Sequence, residues 1–182
     1  MLRTLPKTRD WSDSYRVASI IVFTLLTAIS ARITIPLEPV PITLQPFAVI
    51  LSGLVLGARD GFLSQFLYLT MIALGLPVDA RMLGSVALFG ATAGYLFGFP
   101  FASLVAGYLA QLGGNNFIVR WGAGMVGIIV VYLIGTTWLA VYLQLSAQAA
   151  WSAGVAPFIL LDLGKAFVAA GVAEGGRTFL NR

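Results

Sequence analysis

Cysteine and histidine are absent from this 182-residue chain, and charge is scarce. Without cysteine there is no disulfide and no thiol nucleophile. Without histidine there is no imidazole proton relay and no His-ligated metal site. Charged residues make up 10% of the chain, where an ordinary soluble domain carries about 25%. Seven carboxylates remain, most of them near the ends of apolar segments. There is no Gly-rich phosphate loop and no ATPase motif, so nucleotide-driven work must come from another chain. The basic N-terminus lacks a short apolar core with a small-residue cleavage site, so no removable signal peptide is expected.

What the chain has is apolar surface: 59% of its residues are hydrophobic. That composition predicts an all-α integral membrane protein, with residues 1–182 forming one transmembrane domain. The net charge of +4 reads as a topology signal rather than a nucleic-acid footprint. Apolar stretches cover residues 14–34, 46–57, 62–76, 90–112, 117–145 and 157–180. A spanning helix needs about 20 apolar residues. The second and third stretches are short, and the Ala58-Arg59-Asp60-Gly61 turn between them is tight. They either tilt or enter the bundle without fully crossing.

Pro36, Pro39, Pro41 and Pro46 forbid a regular helix between the first two stretches. A stiff, extended loop is expected there, lying on the bundle as a cap. Orientation follows from the basic residues. With both termini in the cytoplasm, Arg3, Lys7, Arg9, Arg16, Arg59, Arg120, Arg177 and Arg182 lie inside, and only Arg32 and Arg81 outside. The proline-rich loop and the loop from Pro77 to Phe89 are then external. The last span enters from outside at Pro157.

That span carries one acid and one base, Asp162 and Lys165. Each would cost about 2.5–3.5 kcal/mol in hydrocarbon. Three residues apart on a helix, they share a face, and that face must look into the bundle. The pair can neutralise itself, or open to a ligand with N–H donors and an oxygen acceptor. The Leu, Val, Phe and Ala residues around it suit a small, mostly apolar ligand. The competing reading is a structural salt bridge between helices.

Four runs occur in order: Pro39-Val-Pro-Ile-Thr-Leu-Gln45, Gly75-Leu-Pro-Val78, Ala93-Gly94-Tyr95-Leu-Phe-Gly98-Phe99 and Asp162-Leu-Gly-Lys165-Ala166. In these the chain resembles the BioY family, the biotin-specific S components of energy-coupling factor (ECF) transporters. The likeness extends from about residue 15 to 175. It implies a six-transmembrane-helix bundle of the S-component type, with a vitamin pocket at its outer end under the proline-rich loop. It also implies a cell-membrane location and three partners: a transmembrane coupling protein and two ABC-type ATPases that use the ATP. The chain itself is expected to be no enzyme and to hold no cofactor, with biotin as transported substrate and membrane lipid around it. The alternatives are a solitary biotin transporter, an S component for another vitamin, and an intramembrane enzyme using Asp162 and Lys165 as acid and base.

By this resemblance Asp162 and Lys165 are the ligand-binding pair, Asp162 accepting from a ureido N–H and Lys165 donating to a ligand oxygen. The family's loop after Gly-Leu-Pro-Val is often glycine-rich and carries an amide that helps hold the ureido group. Here residues 79–89 contain no Asn, so either Ser85 or backbone groups near Gly84 replace that contact, or recognition differs. Gln45 either contacts ligand or satisfies loop backbone, and Tyr95 is a ligand contact or an interfacial anchor. Trp138 and Trp151 read as belt residues, and Arg81 as the partner of Asp79 or an attractor of an anionic vitamin. Small residues recur every four positions at Ser14 and Ala18, Thr24 and Ala28, and Thr27 and Ala31. They serve internal packing or docking on a coupling protein.

Overall fold

The computed structural model describes residues 12–113 and 116–180. Arg3, Lys7, Arg9, Arg182 and the side chain of Arg177, used above for orientation, lie outside the described residues. The helices are α1 (Asp13–Ser30), α2 (Gln45–Ala73), α3 (Ala93–Leu112), α4 (Phe117–Leu143), α5 (Ala147–Gly154) and α6 (Ile159–Leu180). A 3-10 helix runs over Gly84–Phe89. Among the described residues, four helices are long and apolar enough to cross a membrane, or five if α5 and α6, bent by 51°, count as one span.

The second of these is folded back on itself. Gly57 stands at φ 82°, ψ −178°, a conformation essentially confined to glycine. On a straight helix Gln45 and Tyr68 would lie about 35 Å apart, yet the Gln45 amide donates to the Tyr68 hydroxyl at 2.7 Å. Gln65 likewise reaches Ser52 at 3.1 Å. A Cβ built on Gly61 would stand 2.9 Å from the Gly53 Cα. Limbs 45–56 and 58–73 are therefore antiparallel, and correspond to the expected second and third stretches. The reversal falls at Gly57 rather than in Ala58-Arg59-Asp60-Gly61, which opens the second limb. The reason is steric: only a residue without Cβ adopts this dihedral pair.

Small residues let the hairpin pack tightly. Gly53 and Gly107 place the first limb and α3 backbone to backbone. Ser52 and Ser103 share a hydrogen bond of 2.8 Å, and Gln65 bridges Ser52 and Ser64. Thr24 donates to the Ser64 carbonyl and Thr27 to the Gln65 amide oxygen. Thr24, Thr27, Ala28 and Ala31 are buried, so that part of the small-residue stripe is internal packing; Ser14 and Ala18 are exposed. In an apolar surround such side-chain bonds hold helices together that lipid could otherwise separate.

The proline-rich segment is a short hairpin, β1 (Thr34–Ile35) antiparallel to β2 (Ile42–Thr43), with a cis Glu38–Pro39 peptide in its tip. The short helix α5 has no counterpart among the expected stretches. A left-handed Gln144 (φ 54°) ends α4, and Ser146 caps α5 by accepting from Ala149 N–H. Two ionic contacts lie at the opposite end of the bundle from the β-hairpin. Arg16 donates to both carboxylate oxygens of the buried Asp60 at 2.8 and 3.2 Å, and Arg120 lies 3.0 Å from Glu174.

Candidate functional site

Asp162 lies in the first turn of α6, and its side chain is only 5% exposed. The carboxylate faces inward, and each oxygen takes one donor. Lys165 Nζ reaches Oδ1 at 2.6 Å. The Tyr132 hydroxyl, from α4, donates to Oδ2 at 2.7 Å. Lys165 Nζ also donates to the Thr43 carbonyl of β2 at 2.7 Å. The pair is thus tied to a neighbouring span on one side and to the capping hairpin on the other. Desolvating two charges is costly, and three short polar contacts are what makes it tolerable.

Beside the pair lies a small cavity of about 70 Å³. Its polar wall is formed by Thr43, Gln45, Asp79, Tyr132, Asp162 and Lys165. Its apolar wall includes Val40, Leu96, Phe99, Val131 and Phe158. This is the usual make-up of a small-molecule site: mostly hydrocarbon, with a few convergent polar groups. The hairpin (Val40, Pro41, Thr43) and the 79–89 loop (Asp79, Arg81, Leu83, Ala87) both contribute. The hairpin and the 79–89 loop therefore converge on one pocket with the ion pair in its wall.

The remaining candidates divide. Gln45 lines the cavity while its amide donates to Tyr68, whose hydroxyl donates in turn to the Val78 carbonyl. Tyr95 lines it through its ring, since its hydroxyl donates to the Gly154 carbonyl at 2.9 Å and anchors α5. Gly84 and Ser85 are not among the lining residues. Gly84 sits at φ 59° and gives its N–H to Asp79 Oδ1 at 2.8 Å, so that donor is spent inside the loop. A Cβ there would stand 2.7 Å from the Gly75 carbonyl oxygen, which explains the glycine structurally.

Arg81 departs from expectation as well. Its backbone N–H binds Asp79, but its guanidinium binds Glu38 at 3.0 Å and the Pro39 carbonyl at 3.0 Å. The hairpin and the 79–89 loop are latched together by this contact. Trp138 donates to the Gly90 carbonyl and packs edge-on to Phe97, fastening α4 to the start of α3. Sequence reasoning missed Tyr132 and Thr43. A tyrosine in an apolar run carries no signal of its own, and Thr43 acts through its backbone.

Comparison with known proteins places this geometry in context. Residues 5–182 match the model of the BioY family. The chain is 43% identical over 159 residues to the probable biotin transporter BioY of Pyrococcus horikoshii, covering 87% of this chain and 93% of that protein. It is 41% identical over 153 residues to the biotin transporter BioY of Thermotoga maritima, covering 84% and 89%. The crystal structure of the S-component for biotin from an ECF-type ABC transporter superposes with a TM-score of 0.83 at 23% identity, over 92% of this chain and 94% of that one. At that identity the superposition speaks for the fold, an all-α bundle of the S-component type crossing the membrane several times. By the extent of the family match, the chain belongs to the BioY family.

Proposed function

We propose that this protein binds biotin from outside the cell and serves its uptake as the substrate-binding component of an ECF transporter. The observation that carries the reading is the Asp162–Lys165 pair in the wall of a cavity beneath the β-hairpin and the 79–89 loop, in a chain of the BioY family. Biotin suits such a wall. Its ureido ring offers two N–H donors and one carbonyl, its thiophane ring and side chain are apolar, and it ends in a carboxylate. Asp162 accepts from a ureido N–H, Lys165 donates to a ligand oxygen, and Phe99, Phe158, Leu96 and Val131 cover the apolar parts.

The chain is a transport protein, not an enzyme, and needs no cofactor. Its partners are a transmembrane coupling protein and two ABC-type ATPases, which hydrolyse the ATP. It sits in the cell membrane with both termini cytoplasmic. The bias of basic residues supports that orientation, as does the placement of β1, β2 and the 79–89 loop at one end.

The test is equilibrium binding of biotin to purified protein and to Asp162→Asn. Nanomolar binding by the unchanged protein, about −12 kcal/mol, and a large loss in the variant are expected. Equal, weak binding by both would refute the reading. A thermal-shift panel of vitamins adds the arm for another substrate, because a ligand stabilises only the protein that binds it.

A further inference from the structure

Tyr132 occupies a position shared by two spaces. It lines the cavity beside Asp162. It also lines a second, almost wholly apolar cleft of about 470 Å³ between α4 and α5, with Ile129, Leu133, Thr136, Trp151 and Val155. Leu133 and Trp151 are exposed, so that cleft opens on the apolar exterior of the bundle. The Tyr132 ring is thus the partition between pocket and lipid side, and its hydroxyl is the group nearest the site.

That hydroxyl acts on one atom, Oδ2 of Asp162, at 2.7 Å. Lys165 holds Oδ1 at 2.6 Å from three residues along the same helix. An aspartate χ2 is a broad, nearly two-fold torsion, so one flexible ammonium does not set the plane of the carboxylate. A second donor, carried on a rigid ring from another helix, does. A carboxylate offers about four lone pairs. With one taken on each oxygen, the remaining two are left in directions that the protein chooses.

We infer that Tyr132 is a positioning residue for ligand selectivity: by fixing the Asp162 carboxylate from α4 it makes the pocket prefer ligands bearing an N–H donor over isosteres without one. This rests on the proposed role of Asp162 toward the ureido group. The phenol suits both tasks, since a smaller hydroxyl residue would neither reach Asp162 from α4 nor close the wall.

The experiment compares two ligands on two proteins. The ligands are biotin and its cyclic-carbonate analogue, with oxygen in place of both ureido N–H groups. The proteins are the unchanged chain and Tyr132→Phe, which keeps the ring and removes the donor. Unfolding temperatures measured without ligand check that the variant is folded. The unchanged protein should prefer biotin strongly. Tyr132→Phe should weaken biotin about tenfold or more, the scale of a hydrogen bond to a charged group, and leave the Kd for the carbonate within about twofold, the tolerance for uncoupled changes. The preference for biotin is then compressed by about the same tenfold factor.

Equal weakening of both ligands would show a merely structural tyrosine and overturn the inference. So would an unchanged biotin Kd in Tyr132→Phe. A failure of the proposed function looks different: the unchanged protein would bind neither ligand, or both alike, and the inference would fall with it.

Discussion

Asp162 and Lys165 stand out in the sequence because a charge in an apolar span is costly and marks a functional site by default. Their partners do not stand out. Tyr132 looks like any tyrosine in a hydrophobic run, and the Thr43 carbonyl has no sequence signature at all. The pair also explains a stability prediction. Lys165→Met leaves a buried carboxylate with Tyr132 as its remaining side-chain partner, and should cost about 3–5 kcal/mol. Adding Asp162→Asn removes the stranded charge while the amide oxygen still accepts from Tyr132. The double variant should recover most of the stability and none of the biotin binding. Chemical unfolding in detergent together with a binding isotherm measures both.

At the scale of elements, Gly57 decides whether residues 45–73 form one rod or a hairpin. Hydropathy separates the two limbs by their short lengths, but it does not locate the reversal, because one glycine among 20 carries little signal. The dihedral pair at Gly57 predicts that Gly57→Ala costs about 1–3 kcal/mol in backbone strain. The added contact with the Gln111 side chain costs less, since that group can move. Gly53→Ala should be worse. Its Cβ would lie 2.3 Å from the Ser103 carbonyl oxygen, a backbone atom that cannot yield without separating the first limb from α3. Unfolding temperatures should therefore rank the unchanged protein above Gly57→Ala and Gly57→Ala above Gly53→Ala. The Arg81–Glu38 latch behaves differently. Glu38 is 82% exposed in its side chain, so Glu38→Gln should change stability by less than about 1 kcal/mol, and by less still in high salt.

For the molecule as a whole, the arrangement of loops is the main result. The β1–β2 hairpin and the 79–89 loop lie far apart in sequence, yet Arg81 joins them and both wall the same cavity. The proposed orientation puts that end outside. Because the chain has no cysteine, the orientation can be read from single introduced thiols. Leu37→Cys at the exposed hairpin tip should react with a membrane-impermeant maleimide on intact cells, and Ser12→Cys, just before α1, should react only after permeabilisation. The reverse pattern would invert the bundle and place the cavity inside. Biotin should also raise the unfolding temperature with its concentration, as mass action requires.

Composition and hydropathy determined by themselves that this chain belongs in a membrane, where its apolar stretches fall, and that its last span holds a charged pair facing inward. These are properties of residues and their local spacing, and the cost of burying charge or backbone in hydrocarbon makes them legible. Only the tertiary structure decided what the pair touches. The Tyr132 donor, the Thr43 carbonyl, the closed use of Gly84 inside its loop and the pairing of Arg81 with Glu38 all depend on which segments lie side by side. Such contacts join residues tens of positions apart or act through backbone atoms, and no periodicity along one chain encodes either.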